Sequence, residues 1–248
     1  MEIFENFADP SGPLSVLTRA AHVLAGITWI GLLYFFNFVQ TPAFAELTDG
    51  ARSEALRKLT FRTLWWFRWA ALLTFLFGLM LLVIQGDGEN MDLYLSGVGG
   101  TAILTGMLFG TTMFLNVWGI IWRHQKVIIA SAEAVAAGGQ ANPDAAALAK
   151  PAGRASRANT FMSIPMLWFM VFAAHGSVWF DGIGGTMAYW ALVLVVWAFV
   201  EGSALGLIGG FDSPFNKLVF DKHRSTIIGG FVALGIIHFV GWELLLAV

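Results

Sequence analysis

Apolar positions along the chain gather into about six stretches of roughly 20 residues, near 16–40, 64–85, 97–121, 160–180, 187–210 and 226–247, with polar connections between them. A helix of about 20 apolar residues crosses a hydrocarbon layer of about 30 Å. The pattern therefore predicts an all-α fold: a polytopic membrane helix bundle of about six transmembrane helices, forming a single integral membrane domain over residues 1–248. The one long connection, 122–159, is Ala-rich and holds Gly138-Gly139 and Asn142-Pro143-Asp144. Those residues read as a turn followed by a helix start, and predict two short interfacial helices there. Gly106-x-x-x-Gly110 and Gly202-x-x-x-Gly206-x-x-x-Gly210 fit close helix packing, and no internal repeat of the transporter kind is present.

Composition agrees with the pattern. Hydrophobic residues make up 57% of the chain and charged residues 12%, with a mean hydropathy of +0.71. Soluble domains carry about a quarter charged residues, so the lipid bilayer is the expected surrounding. A formal net charge of −2 without a basic stripe argues against nucleic acid as a partner. The absence of cysteine excludes disulfides, iron–sulfur clusters, thiolate zinc sites, a cysteine nucleophile and covalent c-type haem attachment. The first fifteen residues hold Glu2, Glu5 and Asp9 but no Lys or Arg, so they lack the basic start of a secretory signal and the first span is expected to remain in the mature protein.

The distribution of Lys and Arg sets the expected orientation. Of the 14, all but Arg19 lie in or beside the first, third and fifth connections, from Arg52 to Arg68, Arg123 to Arg157 and Lys217 to Arg224. The second and fourth connections carry Asp87, Glu89, Asp92 and Asp181 instead. By the positive-inside rule the basic connections are cytoplasmic, so both termini face outside.

Histidine carries the most chemical information, because an ionisable side chain inside a span points to function. Roughly 7 Å from the outer end of their spans stand His22 and His175, with His238 roughly 13 Å deep, all in the outer leaflet. Neutral imidazoles from two facing helices can clamp the iron of a b-type haem. His22 and His175 form the matched pair; Gly26, one turn below His22, leaves room for a flat macrocycle, and Arg19, one turn above, can meet a propionate. Two other readings stay open: each histidine hydrogen-bonds a neighbouring helix, or His238 joins the others in a three-histidine copper or zinc site. His124 and His223, among Arg and Lys, read as solvated boundary residues.

A second polar set lies at the opposite ends of the spans: Asn37, Gln40, Arg68, Asn116, Arg157, Asn159 and Ser163, near Trp65, Trp66, Trp69 and Trp118. Amides and guanidinium groups beside aromatic faces suit a flat, polar, anionic ligand, while helix caps within an aromatic belt are the plainer explanation. Glu201, deep in the fifth span, is expected to be protonated, paired or part of a proton path; Glu243 lies one turn beyond His238 and can reach the interface.

Four runs resemble a known family: HVLAGITWIGLLYFFNFVQTPAF at His22–Phe44, FRWAALLT at Phe67–Thr74, NVWGIIW at Asn116–Trp122, and SRANTFMSIPMLWFMVFAAHG at Ser156–Gly176. Together and in this order they are similar to the membrane domain of the bacterial PuuD-type urate hydroxylases, the urate oxidase N-terminal family. The resemblance implies a haem-dependent membrane oxidoreductase that converts urate to 5-hydroxyisourate in purine catabolism. Many members append a cytochrome c domain; none is found in these 248 residues, so electrons are expected to pass to a separate cytochrome c or a quinone-linked acceptor. Where the family pattern has Pro after NVWxxIW, this chain has Arg123-His124. The alternatives are a haem b electron-transfer or accessory subunit of a respiratory complex, and a channel or transporter without haem. The sequence leaves a homo-oligomer open.

Overall fold

A computed structural model describes residues 7–9, 12–86, 91–176 and 183–246. Among these the chain is all-α, with eight helices. They are α1 (Pro13–Glu46), α2 (Asp49–Gly86), α3 (Met91–Ser96), α4 (Val98–Ala136), α5 (Ala145–His175), α6 (Thr186–Ala204), α7 (Pro214–Phe220) and α8 (His223–Leu246). Five of them, α1, α2, α4, α6 and α8, are long and apolar enough to cross a membrane. This is a multi-pass membrane protein. Its outward surface fits lipid: Val16, Leu17, Val23, Leu24 and Ile27 along α1 are all exposed.

The sixth expected span is α5, which falls short of the other five in apolarity because Asn159, Thr160, Ser163 and Pro165 interrupt it. It can carry them because it is the central helix, packed along α4 and α8 and buried over much of its length. Pro165 has no N–H to offer the Phe161 carbonyl one turn back. Gly230 of α8 packs there, so close that a Cβ at position 230 would stand 2.7 Å from that carbonyl oxygen. Gly106 and Gly110 of α4 likewise face Met166 and Met170 of α5, in agreement with the small-residue spacing of the sequence.

Two features depart from the sequence pattern. The 122–159 connection is not a pair of separate interfacial helices: α4 runs without a break to Ala136, and α5 starts at Ala145 and continues into the bundle. Ala, Glu and Lys are strong helix formers, so both helices extend beyond their apolar stretches and meet in a hairpin closed at Gly138 with φ +83°. The short helices are α3 and α7, in other connections. Secondly, the Gly202, Gly206 and Gly210 series is not a packing stripe. The helix α6 stops at Ala204, and Gly206, Gly209 and Gly210 adopt φ of +75°, +71° and +76° in the turn before Ser213 caps α7. The acidic residues Asp87, Glu89 and Asp181 lie outside the described residues.

Candidate functional site

At the basic end of the bundle α1, α2, α4, α5 and the end of α7 surround a cavity of about 360 Å³. Phe36, Asn37 and Gln40 line it from α1, Thr60, Leu64 and Phe67 from α2, Ile121 and Gln125 from α4. From α5 come Lys150, Arg154, Ser156 and Arg157, and Phe220 and Asp221 close the remaining side. Three helices widen here. Segments Phe35–Gln40, Leu56–Thr60 and Val117–Ile121 are π-helical, and the Thr41 and Trp122 N–H groups reach five residues back, to Phe36 and Val117. Such bulges concentrate at functional sites, and these three supply Phe36, Asn37, Gln40, Thr60 and Ile121 to the cavity wall.

The polar groups of the cavity divide into satisfied and free. Asn37 donates to Ser156 Oγ and to the Leu33 carbonyl, both at 2.9 Å, and Thr60 donates to Gln40 Oε1 at 3.1 Å. Arg154, almost wholly buried, donates to Asp221 at 2.6 Å and to the Asn216 carbonyl at 3.2 Å. Lys150 meets both oxygens of Asp212 at 2.6 Å. Arg157 has no such partner: among the described residues no carboxylate lies within ion-pair distance, and its buried Nη1 makes no hydrogen bond. A cavity with one uncompensated guanidinium, amides at its wall and the rings of Phe36, Phe67 and Phe220 is suited to a flat anion.

Of the polar residues that the sequence singles out at this end, Asn37, Gln40 and Arg157 come together in the cavity and the others do not. Asn116, Asn159 and Glu201 form a buried triad between α4, α5 and α6. Asn116 Nδ2 donates to Asn159 Oδ1 at 3.0 Å and Glu201 Oε2 at 3.2 Å, and Asn159 Nδ2 donates to the Met113 carbonyl at 2.9 Å. Ser163 bonds Tyr34 at 2.9 Å. Arg68 lies among tryptophans, outside the cavity lining. Arg154 counts in the sequence only as one of the basic residues of the third connection, although it stands three residues before Arg157 on one helix face, a spacing that marks it for the same site.

The outer residues are arranged differently. His22 Nδ1 lies 2.9 Å from the Thr74 carbonyl of α2. A carbonyl only accepts, so Nδ1 carries a proton, and in the neutral ring Nε2 keeps its lone pair. Gly78 makes room for this ring, since a Cβ there would stand 3.1 Å from His22 Cε1, and Gly26 faces Thr74 one turn along. The Tyr34–Ser163 contact sets the register of the antiparallel pair α1 and α5. Counting twelve residues outward on each helix from that contact, roughly 18 Å, brings His22 and His175 to the same height. His175 is exposed at the end of α5, as is Arg19 on α1. His238 sits among Trp168, Phe172 and Phe169, with ring centroids 5.2, 5.4 and 6.4 Å away, and its Nε2 is 3.5 Å from Glu243. Among the described residues no three His, Asp or Glu side chains gather closely enough to hold a metal ion, so the three-histidine copper or zinc centre does not form. At the basic end His223 stacks obliquely on Phe38 at 6.0 Å, and the Nδ1 of His124 is buried without a hydrogen bond.

This geometry can be set beside known proteins. Residues 90–202 match the urate oxidase N-terminal family. The match covers a little under half of the chain and takes in Asn116–Trp122 and Ser156–Gly176, two of the four runs that carry the resemblance. Within the matched segment lie Arg157 of the cavity, the Asn116–Asn159–Glu201 triad and His175. No curated protein and no solved structure matches the chain.

Proposed function

We propose that the protein oxidises urate at the membrane, taking the substrate into the cavity at the basic end. The observation that supports this reading is the unpaired Arg157 beside amide and phenyl groups in the cavity of a chain whose residues 90–202 match the urate oxidase N-terminal family. Urate is a flat oxopurine anion at neutral pH. Arg157 would neutralise its charge, Asn37, Gln40 and Gln125 would meet its carbonyl and N–H edges, and Phe36 and Phe67 would cover its faces. The balanced reaction is urate plus water giving 5-hydroxyisourate, two protons and two electrons.

The electrons require an acceptor, and the outer histidines are the residues suited to a b-type haem. A metal-ligating histidine commonly donates its second ring N–H to a backbone carbonyl, which is what His22 does to Thr74. His22 and His175 would ligate the iron, Gly26 would border the macrocycle, Arg19 would meet a propionate, and His238 is a further ligand in reserve. Bound there, haem b supplies one-electron chemistry towards a separate cytochrome c or quinone-linked acceptor. From Asn37 to His22 is fifteen residues along α1, roughly 22 Å, so a ligand in the cavity touches nothing held by His22. The partition of Lys and Arg, with the family resemblance, supports both termini in the periplasm of a bacterial inner membrane; a cytoplasm-active reporter fused after Val248 should be silent, and strong activity would reverse that orientation.

The test is anaerobic addition of urate to the purified protein. Reduction of a haem Soret band that His22→Ala abolishes is the expected result. A protein without any Soret band overturns the haem assignment. A haem that urate leaves oxidised favours an electron-transfer subunit without this substrate.

A further inference from the structure

Arg68 belongs to neither site. We propose that Arg68 and the tryptophans around it form a binding site for the phosphate headgroup of an anionic phospholipid, independent of the urate reading. The guanidinium carbon lies 3.7 Å from the centroid of Trp122, and 5.6 and 5.7 Å from those of Trp118 and Trp69. Trp118 is itself fixed, donating from its indole N–H to the Arg68 carbonyl at 3.1 Å. The rings hold the flat cation through their faces, which leaves its edge for hydrogen bonding. That edge is unused. An arginine carries five N–H donors, yet Nε is buried without a partner, and no side-chain hydrogen bond or ion pair of Arg68 occurs among the described residues.

Position decides what can satisfy it. Arg68 is about four residues inside the apolar stretch of α2, roughly 6 Å from its basic end, which is the level where phosphate meets hydrocarbon. Trp65 and Trp66, 45% and 59% exposed, mark the same level on the outer surface. From there an exposed apolar stripe climbs α2 through Trp69, Leu73, Leu76, Met80 and Val83, one residue per turn. It is a track for an acyl chain below a headgroup held at Arg68. Exposed Arg62 and Arg123 flank the site on the water side and add to its preference for net negative charge. A guanidinium fork matches two phosphate oxygens, whereas a lysine presents a single point charge.

Native mass spectrometry of the full chain, released from micelles holding phosphatidylglycerol and phosphatidylcholine in equal amounts with identical acyl chains, tests this. The wild type should retain phosphatidylglycerol in clear preference. Arg68→Gln should lower that retention roughly tenfold or more, the loss expected for a hydrogen bond to a charged group, and Arg68→Lys should restore only part. Arg224→Gln, an exposed cation on α8, should leave the preference unchanged. If Arg68→Gln does not fold, the wild type alone decides: phosphatidylglycerol brominated on its acyl chains must quench tryptophan fluorescence more than brominated phosphatidylcholine. Equal retention and equal quenching of the two lipids would overturn the proposal, as would an undiminished preference in Arg68→Gln. Displacement of the lipid by inorganic phosphate would identify a site for a free anion instead.

Discussion

Replacing Arg157 by glutamine separates the charge that a ligand needs from the charge that the fold needs. Among the described residues Arg157 has no carboxylate partner, so Arg157→Gln breaks no ion pair and, by removing a partly buried unpaired charge, should not destabilise the fold. With urate bound the same change removes a charge-assisted hydrogen bond of about 1.5–3 kcal/mol, which weakens binding roughly tenfold to hundredfold. Arg154 supplies the contrast. It is 8% exposed and tied to Asp221 and the Asn216 carbonyl, so Arg154→Gln leaves both acceptors short of a donor. Asp221 is half exposed and water can compensate it, which keeps the expected destabilisation to about 1–2 kcal/mol. Calorimetric titration of urate into the detergent-solubilised protein, with thermal unfolding measured on the same samples, reads both quantities. Urate affinity within twofold of wild type in Arg157→Gln would remove the substrate from this cavity.

Asn159→Ala cuts two interhelical hydrogen bonds between α5 and α4, and at about 0.6–1.7 kcal/mol each should destabilise the protein by about 1–3 kcal/mol in thermal unfolding. Gly78→Ala pushes a methyl group to 3.1 Å from His22 Cε1, so the ring must shift by a few tenths of an ångström; the Soret band proposed for His22 should weaken or move while the protein still folds, and an unaltered band would separate His22 from the haem. The hydrogen bond from Lys150 holds the Asp212 carboxyl below the usual carboxylate range. A depressed carboxylate stabilises the fold above its unfolded pKa and loses that contribution as pH falls through the folded value. The small stability gap between wild type and Asp212→Asn should therefore be present at pH 7 and close on acidification below about 4, and a gap that widens there would refute the pairing.

The spans were legible because the membrane sets a minimum apolar length, and α1, α2, α4, α6 and α8 all meet it. Helix ends were harder to read, since water permits a helix to continue wherever propensity allows, as α4 does through Trp122–Ala136. Asn37, Gln40 and Arg157 were found at the cavity because amides and a cation near an apolar boundary are costly without a purpose. Asp221 could not be found that way: it reaches Arg154 from a connection 67 residues further on, and no local spacing encodes that meeting. The polar set looked like one cluster because residue depth is readable from span length, whereas direction around the helix is not. Asn116 and Asn159 turn inward to Glu201, and Arg68 turns to Trp122.

Direction around the axis is also what the π-helical segments control. A π turn is equivalent to one residue inserted into an α-helix, and each residue of a regular helix advances the azimuth by about 100°. Deleting a single residue within Phe35–Gln40 would relax that turn into an ordinary one; the helix on either side, Thr41–Glu46 included, would keep its phase, and only the residues of the turn itself would change direction. Phe36, Asn37 and Gln40 could then no longer present the same faces together. The extra residue works as a local widening, taken up within one turn, that spreads Phe36, Asn37 and Gln40 along the cavity wall while the span on either side stays in register. One-residue deletions in Leu56–Thr60 or Val117–Ile121 would narrow α2 or α4 at the cavity wall in the same way and re-aim Thr60 or Ile121, with the two halves of each helix still in phase.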